Sequence, residues 1–182
     1  VVASPQLSGA NVVTTVGVVH KMTDRLLDRA FHRHKDLFAD VARPLVCLLL
    51  GGNTRYCFGF NEAYARGLGM RVASIVASLK GSLVVTNSRR TPKEALAALL
   101  DEVAVPDRSF FDWQHIDPDV YPALLAHSDV FVATGDSVSM CSEASYTGKP
   151  LLVDMRDCTT EIYHRTIIGT LIAYGAAKPL SD

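Results

Sequence analysis

Residues 132–153, VATGDSVSMCSEASYTGKPLLV, read as a strand, a polar turn, a helix, a glycine stop and a second strand. The apolar run ends in Thr134-Gly135-Asp136-Ser137, and a helix follows until Gly148 and Pro150 end it. Leu151-Leu152-Val153 then opens the next strand. A strand that passes into a helix through Gly, Asp and Ser aims free backbone N–H groups at whatever sits above the turn, together with the positive end of the helix dipole. Phosphate is the usual occupant of such a place.

The same grammar extends along the chain. Residues 44–50 form a continuous apolar run ending in Gly51-Gly52-Asn53, as a strand buried on both faces requires. Ala65, Leu68, Val72, Ile75, Val76 and Leu79 recur at helical spacing over 61–79, and Gly81 breaks that helix. Residues 82–86 are a second strand. Thr91-Pro92-Lys93-Glu94 predicts a helix with Thr91 as its N-cap. A short strand is expected over 109–113, a helix over 121–127, a strand over 130–133 and a last helix over 159–174, closed by Gly175. Strands alternating with helices imply βαβ units: an α/β, Rossmann-like parallel sheet of five or six strands with helices on both faces.

The first forty residues fit less simply. Residues 11–19 are strand-like, and Thr23-Asp24 caps a helix running to about Leu37. They read as a linker region and first βα unit at the junction with a missing N-terminal domain, with the nucleotide-binding domain proper over 41–182. The start at Val1 lacks both an initiating Met and a basic-then-apolar leader pattern, as a fragment would.

Bulk properties narrow the function. The chain has 182 residues, 48% apolar and 20% charged, with a net charge of −1, so nothing in the balance calls for nucleic acid or an acidic membrane as partner. Cys47, Cys57, Cys141 and Cys158 form no C-x-x-C pair, which points to free thiols in a reducing, cytoplasmic compartment. No apolar run approaches the roughly 18 residues that span a bilayer.

In an open parallel sheet, ligands gather beyond the carboxyl ends of the strands. Those ends carry Gly51, Gly52 and Asn53; Ser88, Arg89 and Arg90; Asp112 and Trp113; and Gly135, Asp136, Ser137 and Ser139. Gly51-Gly52 either lets a ligand approach the backbone or simply makes a tight turn. Arg89 and Arg90 precede a helix start, where guanidinium groups bind phosphate bidentately, or they form a solvated loop pair. Ser137 caps its helix on this reading, and Asp136 turns away from any phosphate to hold a neighbouring loop or a sugar hydroxyl. Glu143, a little under two turns later, is either a ribose ligand or an exposed helix residue. The loops lack the G-x-x-x-x-G-K-[ST] and G-x-G-x-x-G patterns, so a P-loop and an ordinary NAD site both lose ground. The histidines form no H-x-x-x-H pair on the site edge, and no metal is expected. Gly135-Asp136-Ser137 also matches the nucleophile block of the GDS-type serine esterases. That family places the block near its N-terminus and needs a downstream Asp-x-x-His, to which Glu161-Ile162-Tyr163-His164, expected mid-helix, is the nearest approximation.

Residues 11–17, 50–53, 84–92, 134–144 and 147–150 together resemble the mitochondrial-fission proteins named for an elongated-mitochondria phenotype, a family with plant and bacterial members. The strings Ser-Arg-Arg-Thr-Pro and Gly-Asp-Ser-Val-Ser-Met are specific to it. Departures lie at residues 4–9 and at 114–118, where the family favours a small Gly-Asn turn. The resemblance implies the C-terminal half of a GT-B glycosyltransferase, which holds a UDP-type nucleotide-sugar, with Ser137 and Ser139 at the phosphates and Glu143 at the ribose. It implies no cofactor, and a catalytic base in the preceding domain. The paired-glutamate signature of retaining relatives would fall on Gly135, so an inverting reaction is the one implied. The plant relatives imply an alternative: a non-catalytic adaptor, peripheral at the mitochondrial outer membrane, that recruits a dynamin-like protein.

Overall fold

The computed structural model describes residues 8–181. The departure read at residues 4–7, and the start at Val1, lie outside them. In chain order the elements are α1 (Asp24–Arg33), a 3-10 turn (Lys35–Phe38), β1 (Leu45–Leu49), α2 (Glu62–Leu79), β2 (Ser82–Thr86), α3 (Lys93–Glu102) and β3 (Arg108–Phe111). There follow α4 (Val120–His127), β4 (Val130–Thr134), α5 (Val138–Tyr146), β5 (Leu151–Asp154), α6 (Ile162–Ala173) and β6 (Lys178–Pro179). The strands form one parallel sheet in the order β3-β2-β1-β4-β5-β6, that of doubly wound dinucleotide-binding sheets.

Alternation along the central strands builds two cores. Leu45, Cys47 and Leu49 of β1 face one side, with Phe131 and Ala133 of β4, Leu124 of α4, Cys141 of α5 and Ile168 of α6. Val46, Leu48 and Leu50 face the other, with Leu68, Val72 and Val76 of α2 and Leu99 of α3. Connections leave β1 and β2 on one face and β3, β4 and β5 on the other. The change of face falls between β1 and β4, where the crevice of a doubly wound sheet opens.

Local chemistry fixes the helix ends. Asn61 caps α2 by accepting the Tyr64 N–H at 3.0 Å, and Thr23 caps α1 through the Leu26 N–H at 3.2 Å. α1 ends at Arg33 and the 3-10 turn carries the chain on to Phe38, so the single helix expected to Leu37 is two elements. Phe31 stacks on His127 with ring centroids 4.3 Å apart, which docks α1 on α4.

Several sequence expectations need correction. Residues 11–19 form no strand beyond a single bridge at Thr14. The segment lies against α5, where the Val18 N–H donates to Ser142 Oγ at 2.9 Å. A helix has no free ladder to offer, so the β-branched run pairs at no more than that one bridge. Thr91 is not the cap of α3; that position belongs to Pro92, and the Thr91 hydroxyl is drawn instead into the Ser88–Gly51 contact. α6 begins at Ile162 rather than 159, because the Thr159 and Thr160 N–H groups both turn back to the Arg156 carbonyl. The two-residue edge strand β6 was not expected, since Pro179 brings no N–H to a ladder.

Candidate functional site

Three loops from strands distant in sequence meet above β1 and β4. Gly51 N–H donates to Thr134 Oγ1 at 2.8 Å, and Gly52 N–H donates to Asp136 Oδ2 at 2.7 Å. Arg90 reaches the same carboxylate oxygen at 2.9 Å and donates to the Gly52 and Asp136 carbonyls at 3.0 and 3.3 Å. The Asp136 side chain is 0% exposed, that of Arg90 27%. Burial pushes the Asp136 carboxyl above its usual value, opposed by the Thr134 side chain, the Arg90 charge and the Gly52 N–H.

The glycines serve this closeness. A Cβ on Gly51 would sit 2.0 Å from Asp136 Oδ2, and one on Gly52 2.1 Å from the Arg90 carbonyl oxygen. The room they leave is therefore filled by protein, which decides between the two alternatives left open for Gly51-Gly52. Around them, Ser88 Oγ donates to the Gly51 carbonyl at 2.8 Å, and Asn53 Oδ1 accepts the Phe60 N–H at 3.0 Å. Asp136 turns onto the neighbouring loop, away from the space above α5.

Beside this knot lies a cleft of about 370 Å³. Asp136, Ser137, Val138 and Ser139 border it from the start of α5, Arg90 from the β2–α3 loop, and Thr54, Arg55 and Tyr56 from the β1–α2 loop. Glu161 and His164 close it from the start of α6. Ser137 holds the N-cap position of α5, yet its side chain makes no capping bond, contrary to expectation. Ser139 is exposed on the first turn. The α6 end is positioned by Thr54, whose hydroxyl donates to Glu161, and by the Gly59 N–H, which donates to the Cys158 carbonyl at 3.1 Å. Two helix N-termini, four hydroxyls and the cations Arg55 and Arg90 thus face one space, an arrangement suited to an anion that carries hydroxyl groups.

The structure brings together Gly51, Gly52, Asn53, Ser88, Arg90, Gly135, Asp136, Ser137 and Ser139. It leaves the other sequence-predicted residues elsewhere. Arg89 points outward and makes no hydrogen bond or ion pair with the described residues. Asp112 and Trp113 sit past β3, Asp112 accepting the Gln114 N–H at 3.1 Å and Trp113 donating its backbone N–H to Asn87 Oδ1 at 2.9 Å. Glu143 lies farther along α5 and does not border the cleft; the Tyr121 hydroxyl donates to its carboxylate at 2.8 Å. Burial raises the Glu143 pKa, opposed by the Tyr121 bond and the charge of His20.

Sequence reading missed Thr54, Arg55, Tyr56, Glu161 and His164 as a group. The available signal was the carboxyl end of β5, which is followed by the polar run Thr159-Thr160-Glu161. Glu161 and His164 are at the N-terminus of α6, not mid-helix. A larger cleft, of about 650 Å³, lies at the opposite edge around Lys149, Leu151 and Tyr174. Its ammonium group already donates to the carbonyls of Leu125, Ala126 and Ser128.

Among solved structures, the chain resembles a protein described as a UDP-N-acetylglucosamine 2-epimerase from Listeria monocytogenes, with TM-score 0.52, 17% identity, and coverage of 88% of this chain and 36% of that one. A UDP-GlcNAc 2-epimerase from Neisseria meningitidis, bound to UDP-GlcNAc, gives TM-score 0.52 and 18% identity over 84% of this chain and 38% of that one. These likenesses carry the fold, a Rossmann-like domain of the GT-B kind. By sequence, the chain is 32% identical over 143 residues to the Mitochondrial fission protein ELM1 of Arabidopsis thaliana, covering 79% of this chain and 33% of that protein. It is 26% identical over 141 residues to an uncharacterised Rickettsia prowazekii protein, RP120, covering 77% of this chain and 40% of the relative. The matched region thus spans well under half of either relative. Residues 4–182 match the family described as Mitochondrial fission ELM1, and the chain belongs to that family.

Proposed function

We propose that this domain binds a nucleoside diphosphate or UDP-type nucleotide-sugar at the carboxyl edge of the sheet, as the donor-binding half of a glycosyltransferase-like protein. One observation carries the proposal: α5 starts at the change of face between β1 and β4, with Ser137 and Ser139 bordering an open polar cleft. The helix N-terminus there stabilises a bound diphosphate, and the same field stabilises the charge that develops when a diphosphate leaves a sugar. The Neisseria neighbour binds UDP-GlcNAc on the same fold, which supports the ligand class. Any catalytic base is assigned to a preceding domain, so turnover is a property of the longer protein.

Isothermal titration of UDP and UDP-GlcNAc tests the assignment. Ser139→Ala loses one hydrogen bond to a charged group, worth about 1.5–3 kcal/mol, and weakens UDP by about tenfold or more with unchanged unfolding behaviour. Arg89→Ala and Glu143→Ala, whose side chains lie outside the cleft, leave UDP affinity unchanged. Unchanged UDP affinity in a folded Ser139→Ala protein refutes the phosphate site.

A second reading, the adaptor that recruits a dynamin-like protein to the mitochondrial outer membrane, is favoured by one observation. Arg90 and Glu143, two residues assigned to a ligand, are engaged by Asp136 and Tyr121. Among the described residues no helix is long and apolar enough to cross a membrane. Failure of every nucleotide to bind a folded protein transfers the weight to it.

A further inference from the structure

Asp136 Oδ1 and His164 Nδ1 are buried side-chain atoms with no hydrogen-bond partner among the described residues, and both residues border the same cleft. The first belongs to a wholly buried carboxylate; the second becomes a donor once the imidazole takes a proton. Buried polar atoms are nearly always paired, so the orphaned imidazole nitrogen on this cleft marks a place that a bound acceptor completes, whereas the Asp136 oxygen, itself an acceptor, is not completed by a phosphate. We propose that His164 is the proton-linked ligand of the outer phosphate of a nucleoside diphosphate, holding it as imidazolium between the starts of α5 and α6. This rests on the phosphate reading of α5 and extends it to α6.

The groups around the ring set the balance. Glu161 on its own helix and Asp136 on the β4–α5 turn favour the imidazolium, whereas burial, the largest influence, and Arg90 from the β2–α3 loop disfavour it. Arg55 borders the cleft from the β1–α2 loop, beside the uncharged Thr54 and Tyr56. Arg165, one residue along α6, is tied to Asp157 and the Met155 carbonyl. In the free protein these influences leave the ring below its usual value, hence neutral at physiological pH. A phosphate dianion entering the cleft offsets Arg90 and reverses the preference. The ring then takes one proton from solvent on binding and returns it on release, with no covalent bond made or broken.

Two measurements on the full chain test this. The His164 imidazole resonances are followed against pH by NMR with and without UDP. UDP and UMP are also titrated calorimetrically in buffers of different ionisation enthalpy, with wild type and His164→Gln. The expected result is an upward move of the His164 midpoint with UDP and proton uptake that exceeds that of His164→Gln, smaller with UMP. The affinity advantage of wild type grows by up to about tenfold per pH unit as pH falls between the two midpoints. UDP's own ionisation is common to both proteins and cancels. UDP bound with the His164 midpoint unmoved, or uptake equal in His164→Gln, overturns this assignment alone. The NMR arm decides even where the variant does not fold. No UDP binding to wild type overturns the phosphate reading, and this assignment with it.

Discussion

Removing the Asp136 carboxylate tests the knot on which the site is built. Asp136→Ala strips the Gly52 N–H of its acceptor at 2.7 Å and Arg90 of its counter-ion at 2.9 Å. A buried donor left unpaired costs about 1–3 kcal/mol. Breaking a buried ion pair by removing one partner costs about 3–5 kcal/mol. One oxygen serves both partners, so the two costs overlap, and Arg90 keeps 27% of its side chain exposed to water. The sum falls at the lower end, about 3 kcal/mol. At roughly 2–4 °C per kcal/mol for a chain of this size, Tm falls by about 6–12 °C. Asp136→Asn keeps an oxygen for both donors and removes a buried charge, so its cost is only about 1 kcal/mol. Gly51→Ala, whose Cβ would lie 2.0 Å from Asp136 Oδ2, displaces the carboxylate and behaves like Asp136→Ala. Urea unfolding followed by circular dichroism ranks the three. An Asp136→Ala protein within about 0.5 kcal/mol of wild type, the scale of an inconsequential substitution, refutes the reasoning. An Asp136→Asn protein as damaged as Asp136→Ala does the same.

Three further outcomes are expected. Asn61→Ala removes a capping bond of 3.0 Å and costs about 1 kcal/mol. Ser137→Ala removes no capping bond and changes stability by no more than about 0.5 kcal/mol in the same urea assay. For Glu143, the folded pKa lies above the unfolded one, so its contribution is fully present below the unfolded value and is lost as pH rises through the folded value. Glu143→Gln therefore raises Tm at neutral pH, and the gain closes as pH falls toward the ordinary glutamate value of 4.5, read from melting curves at successive pH values.

The sheet was legible because its central strands are buried on both faces: runs such as 44–50 leave little but a central parallel strand to be read. The α5 turn was legible because glycine, a short acid and serines between strand and helix have few other uses. What stayed hidden depended on partners far away in sequence. Residues 11–19 have strand composition, but composition cannot say that the neighbour is a helix. Arg90 looked like a ligand for phosphate, and nothing local shows that Asp136, 46 residues on, takes its guanidinium. Glu143 has the spacing of a ribose ligand, and only the fold sets Tyr121 against it. The Glu161–His164 pair fails to match the esterase pattern, and what brings it to the cleft is its place beyond a strand's carboxyl end.

The Gly52 amide, clasped by a carboxylate 84 residues away, cannot form its bond until β1 and β4 are neighbours and the β2 loop has delivered Arg90. No single strand–helix unit contains the clasp, so no partly folded piece of the domain can hold it. Deuterium reaches such an amide only through openings that separate the sheet's centre, the slowest class of exchange in a domain. The floor of the cleft is in this sense as durable as the whole fold, while its walls, the β1–α2 loop and the start of α6, remain free to exchange on their own schedule.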